Sequence, residues 1–210
     1  MSVASSTSLR LKLGVSVVAL AFAGVAFAQA PAAKPARIRG DIVSLSGDTL
    51  TVHRRSGDTV TIDMKQDTPV TAVKNIKLSD IKTGSFIGTA ATTGTDGKMT
   101  ATEVLVFPEA ARGSGEGHYA WDLAPNSTMT NANVDQIVTG TSGRDLKLSY
   151  KGGSNTVTVP DGVPVVTFAP AARTDLVAGK KVFIVATPVS GTEFAASRVV
   201  VEKDGVAPPM

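Results

Sequence analysis

The sequence predicts an all-β protein of two tandem small OB-like β-barrels with little helix. Three observations lead there. Apolar residues alternate with Thr and Asp at period two over several short runs. Those runs are separated by Gly- and Asp-bearing turns such as Ser46-Gly47-Asp48 and Arg54-Arg55-Ser56-Gly57-Asp58. The whole pattern then recurs at an offset of 95 to 97 residues, which marks a duplication.

The first 28 residues are expected to be an export signal. Arg10 and Lys12 form a positive start, Leu13 to Phe27 is an apolar run, and Ala26-Phe27-Ala28 gives the small-x-small pattern before Gln29. Cleavage after Ala28 is preferred to cleavage after Ala30, which would leave Pro31 as the first mature residue. The run of about 15 residues falls short of the roughly 20 that span a bilayer, so a retained anchor is disfavoured. The chain has no Cys, which excludes a lipid-anchored lipoprotein, a disulfide framework, thiolate catalysis and Cys-based metal sites. The expected location is the periplasm or the exterior. Losing Arg10 and Lys12 takes the balance from 21 cations against 18 acids to 19 against 18. A net charge that small gives no electrostatic case for nucleic acid. No later apolar run is long enough for a transmembrane segment.

Residues 29–36, with Pro31 and Pro35, read as an extended leader. The first barrel is expected over 37–107. Ile38 to Leu45 is a strand; Leu50 and Val52 alternate with Thr49, Thr51 and His53; Val60, Ile62 and Met64 alternate with Thr59, Thr61 and Asp63. Leu78 to Gly84 supplies one helical turn ended by Gly, and Phe86 to Ala90 and Met99 to Phe107 complete the sheet. The second barrel is expected over 132–203. There Leu146, Leu148 and Tyr150 answer Leu50, Val52 and Arg54, and Pro164-Val165 answers Pro69-Val70. Asp175 to Gly179 answers Asp80 to Gly84, and Ala196 to Val201 answers Ala101 to Val106. A sandwich of seven short strands is the competing topology. Residues 108–131 form a Gly- and aromatic-bearing linker without a counterpart, and 204–210 a flexible tail.

Gly40-Asp41-Ile42-Val43, Thr49-Leu50-Thr51-Val52, Leu78 to Gly84 and Ala101-Thr102-Glu103-Val104 resemble an exported bacterial β-barrel family catalogued as a domain of unknown function. The resemblance covers both halves, the second starting on Val134-Asp135-Gln136-Ile137. Pro108 to His118 followed by Trp121-Asp122 resembles a signature of a two-domain proteobacterial subgroup, whose relatives sometimes carry the label metal-transporter permease. A permease needs several membrane spans, so the resemblance implies at most a soluble accessory role. It implies no catalytic residues.

The linker gathers the scarce functional side chains. Glu109, Glu116, His118 and Asp122 offer oxygen and nitrogen ligands for a divalent metal, with Gly113, Gly115 and Gly117 able to wrap an ion. Their spacing matches no metal motif, and acids paired with Arg112 are the plainer alternative. The run Gly113 to Gly117 lacks the following helix that a phosphate loop needs. Ser114 or Ser127 with His118 could be drawn as a hydrolase, but no nucleophile elbow is present. Arg112, Tyr119 and Trp121 are expected at an interdomain joint or partner surface. The expected function is therefore non-enzymatic: binding, or an envelope-accessory role with an envelope protein as partner. The alternative is a metal-binding accessory, and no other cofactor is expected.

Overall fold

The computed structural model of the chain describes Met1, residues 34–140 and residues 143–209. The expected signal, Met1 apart, and most of the leader lie outside the described residues. The described chain is all-β, as expected. Its strands are β1 (Ala36–Ser46), β2 (Thr49–Arg54), β3 (Thr59–Asp63), β4 (Val70–Asn75), β5 (Phe86–Thr93), β6 (Met99–Val106) and β7 (Gly117–Ala120). The second half adds β8 (Ser127–Gly140), β9 (Gly143–Tyr150), β10 (Gly153–Pro160), β11 (Val165–Pro170), β12 (Lys181–Ser190) and β13 (Glu193–Val201). Helix is confined, among the described residues, to single 3-10 turns at Leu78–Asp80, Glu109–Ala111 and Arg173–Asp175. In the first and third of these the closing acid, Asp80 or Asp175, accepts the backbone N–H three residues back.

Two five-stranded barrels close, but neither is a contiguous segment. β1, β2 and β3 form a meander; β3 then pairs in parallel with β13, β13 with β12, and β12 with β1. The other ring runs β8, β9, β10, then in parallel to β6, then β5 and back to β8. Each barrel takes three strands from one half of the chain and two from the other. The expected domains 37–107 and 132–203 are thus replaced by two interlocked barrels. The physical reason lies in β4 and β11. Instead of turning back, each crosses to the other barrel, and the two pair antiparallel with Val73 opposite Phe168. Those residues lie 95 positions apart, within the offset of the sequence pattern, and the register is symmetric about that pair. The flanking parallel pairings obey the same relation: Val199 sits against Val70, and Val104 against Val165.

Alternation explains what fills each barrel. Leu50, Val52, Val60 and Ile62 point inward with Ile184, Val199 and Val201, all essentially inaccessible. Ile87, Val104, Leu146, Leu148, Val157 and Val159 fill the second barrel. Each such side chain stabilises by about 1.5–3 kcal/mol relative to exposure. Matching β-bulges bend the strands where the repeats correspond. Across one, Thr102 Oγ1 donates to the Ala90 carbonyl at 3.1 Å; across the other, Ser197 Oγ donates to the Val185 carbonyl at 2.9 Å.

Two further expectations are corrected. The linker 108–131 contains a strand, β7, which pairs with β8. The C-terminal stretch is packed: Val206 bonds back to Lys203 and joins the apolar cluster between the barrels, and Pro208 is buried.

Candidate functional site

The outward faces of the two barrels meet in a third apolar cluster of Val73, Leu105, Val166, Phe183 and Val200. The crossing strands create this joint, and the linker covers one side of it. There a cavity of about 150 Å³ remains. Its walls are Gly88, Leu105 and Met129 of one barrel and Phe183 of the other, with Phe107 and Phe168 between them. Tyr119 and Trp121 of the linker close it, and Ser114, Asn131 and Arg198 supply its polar edge. Phe107 stacks edge-on against Phe168 at 5.9 Å and lies 5.3 Å from Phe86. Trp121 lies 6.2 Å from Tyr119 and 6.4 Å from Phe183. Five of the chain's ten aromatic residues therefore line one small space.

Each wall has a local cause. Alternation along β5 and β8 turns Gly88 and Asn131, which face each other in the register, toward the joint. A Cβ at position 88 would come within 2.6 Å of Asn131 Oδ1 and 3.2 Å of Phe107, so only Gly keeps the space open. Asn131 is 8% exposed; its Nδ2 donates to the Ser114 carbonyl at 3.1 Å and to Tyr119 Oη at 3.2 Å. It thereby ties the linker to the barrel wall. Burial raises the Tyr119 hydroxyl above its ordinary pKa, opposed by Arg37 and Arg198, so the phenol stays neutral. Trp121 Nε1 is buried and has no acceptor among the described residues. An unmade hydrogen bond of that kind costs about 1–3 kcal/mol.

Behind Trp121 the linker is anchored by charge. The Arg37 guanidinium lies over the indole at 4.0 Å, and Arg39 lies 5.1 Å from the Phe183 ring. Asp122 Oδ1 accepts from Arg39 Nη2 at 2.9 Å and lies 3.7 Å from Arg37. The expected joint residues Tyr119 and Trp121 are thus at the joint. Arg112 is elsewhere: it holds Glu109 through two bonds of 2.6 and 2.7 Å, and reaches Asn133 and the Gly84 carbonyl.

The four expected metal ligands take four separate sets of partners. Glu109 is held by Arg112, which keeps its carboxyl below the usual range. Glu116 Oε1 accepts the Lys151 backbone N–H at 2.9 Å. His118 Nδ1 lies 2.9 Å from Thr130 Oγ1 and 3.1 Å from Asn155 Nδ2. Asp122 belongs to the arginines. Among the described residues no three His, Asp or Glu side chains converge as a metal site. Among the described residues His118 meets no serine, and Ser127 Oγ is engaged with the Trp121 and Ala124 carbonyls.

Two features of the candidate site escape a sequence reading. Gly88 and Met129 sit in ordinary strand patterns, and only the exchange of strands turns them toward Phe183. Glu103, 2% exposed, also faces this joint; burial pushes its carboxyl up to about 7 against the pull of Arg39 and Arg55. No helix among the described residues is long and apolar enough to cross a membrane. Comparison of the chain with protein-family models, curated proteins and solved structures finds no match.

Proposed function

We propose that this is an exported, non-enzymatic binding protein of the cell envelope whose ligand seat is the aromatic cavity between the interlocked barrels. The export part rests on Arg10, Lys12, the apolar run and Ala26-Phe27-Ala28. The binding part rests on one observation: a small aromatic-walled space whose polar edge carries Ser114, Asn131 and Arg198. Aromatic walls with few polar groups are what small-molecule seats are made of. Size narrows the class. An apolar cavity on the order of 150 Å³ takes a benzene-sized guest, and this one has about the same volume. The fitting ligand is a single planar ring with a negative group for the exposed Arg198 at the cavity's edge. It is free in solution or borne on a partner in the envelope.

Benzoate and phenol are suitable probes, followed by amide and methyl NMR. The reading predicts saturable shifts at Gly88, Leu105, Met129 and Phe183, with affinity near or tighter than about 1 mM, about −4 kcal/mol. A Leu105→Trp variant, which fills the space, should abolish them. Shifts that never saturate, or that fall away from these residues, would sink the proposal.

A further inference from the structure

The other side of the Trp121-Asp122 anchor carries a second concavity of different chemistry. This open pocket of about 290 Å³ is lined by Arg37, Arg39, Arg54, Arg55, Ser56 and the linker's Asp122. The sequence shows Arg54-Arg55 as an isolated pair. The β1–β2 register places Gly40 opposite Arg54, and the Arg55 N–H donates to the Arg39 carbonyl at 3.0 Å. Alternation along β1 sends Arg37 and Arg39 to the same outer face. Four guanidinium groups therefore surround one space.

Their partners are fewer than their donors. Asp58 holds Arg54 by two of its nitrogens. Asp122 offers one oxygen to both Arg37 and Arg39. Arg55 has no carboxylate within 4.0 Å among the described residues. Arg39 is 9% exposed, and its Nε has no acceptor. Glu103, within reach of the fields of Arg39 and Arg55, makes no ion pair with either. Four guanidinium groups thus stand against the carboxylates of Asp58 and Asp122, which leaves the pocket a surplus of positive charge.

We propose that this pocket is a binding site for a tetrahedral oxyanion of the phosphate class, with Asp122 the built-in occupant that the anion displaces. The Asp122 carboxylate is already present, and Arg55 keeps no carboxylate within 4.0 Å among the described residues. A phosphate or phosphomonoester brings three acceptor oxygens and up to two charges, which matches guanidinium forks from several directions. The inference is independent of the ring seat. Its probe, variants and lining residues differ, so either can fail alone.

Inorganic phosphate, titrated into the full chain at constant ionic strength with chloride as reference, provides the test. Amide and arginine Nε–H NMR should show saturable shifts at Arg37, Arg39, Arg55 and Ser56. Arg55→Gln, at an exposed site, should weaken phosphate about tenfold, the size of one lost charge-assisted hydrogen bond. Asp122→Asn should tighten it, because the competing carboxylate is gone; a purely structural Asp122 would give no gain. Lys98→Gln, a remote exposed cation, should change nothing. The proposal is overturned if chloride reproduces the shifts, if Arg55→Gln binds like wild type, or if Lys98→Gln weakens binding equally. Should Asp122→Asn lower the melting temperature, the Arg55→Gln comparison still decides.

Discussion

Glu103→Gln should stabilise the protein at high pH and lose that advantage at low pH. Glu103 lies on β6 and faces the joint between the barrels, 2% exposed, with one carboxylate oxygen lacking a donor. Burial is the largest influence on it; Arg39 and Arg55 oppose burial without cancelling it, and the carboxyl ends at about 7 instead of 4.5. The sign follows from proton counts. Between those two values the folded state holds a proton that the unfolded state has released, so stability falls as pH rises through the window. Glu103 thus favours the fold fully below about 4.5, and that contribution has gone above about 7. At about 1.36 kcal/mol per pKa unit, the gap corresponds to roughly 3 kcal/mol as an upper value. Urea unfolding of wild type and Glu103→Gln, repeated from about pH 4 to pH 9, isolates this part as the difference between the two proteins. The variant should gain progressively with pH and level off above about 8. The reasoning is refuted if the difference is flat. It is refuted more sharply if the variant grows weaker as pH rises, because Arg39 and Arg55 would then dominate burial.

Other consequences follow from the interlocked barrels. Ile62→Ala in one barrel and Leu148→Ala in the other, both inaccessible, should each cost about 3 kcal/mol. Both should shift one shared calorimetric transition rather than split it. Trp121→Ala removes the indole beneath Arg37 and against Phe183. It should cost about 2 kcal/mol, less than a fully buried Trp because the residue is half-buried, read by circular dichroism in urea. Gly40→Ala would drive a Cβ into the His53 carbonyl; a loss of about 3 kcal/mol is expected by thermal melting. Thr102→Val and Ser197→Ala each remove one bulge bond and should cost a similar amount near 1 kcal/mol.

Strand content and turn positions were legible because they are local. The run Thr59 to Met64 alternates whichever strand it pairs with, and Gly47 and Gly57 turn the chain in any arrangement. The exchange of strands was not legible, for a physical reason. β13 offers β3 the same kind of edge that β6 would have offered, so a contiguous barrel and an interlocked one satisfy identical local preferences. The difference lies only in whether the chain after Met64 turns back or crosses. A faint signal is the Val70-Thr71-Ala72-Val73 stretch, where neighbouring Ala72 and Val73 are both buried because β4 is covered on both faces. Of the linker's rare residues, Tyr119 and Trp121 lie at the joint between the barrels. The partners of its acids were not legible, because pairing is decided by neighbours distant in sequence: Arg39 for Asp122, and the Lys151 backbone for Glu116.

The most direct test of the interlocked architecture, on which both proposed pockets depend, is the behaviour of residues 34–107 expressed alone. This piece holds β1 to β6 but lacks the two strands that close its first barrel. Hydrogen exchange and sedimentation should find no folded monomer. The piece should be unprotected, or should dimerise by pairing β4 with β4 of a second copy, and should recover the native exchange pattern on mixing with residues 127–209. A monomeric 34–107 with a complete, exchange-protected five-stranded barrel would contradict the account.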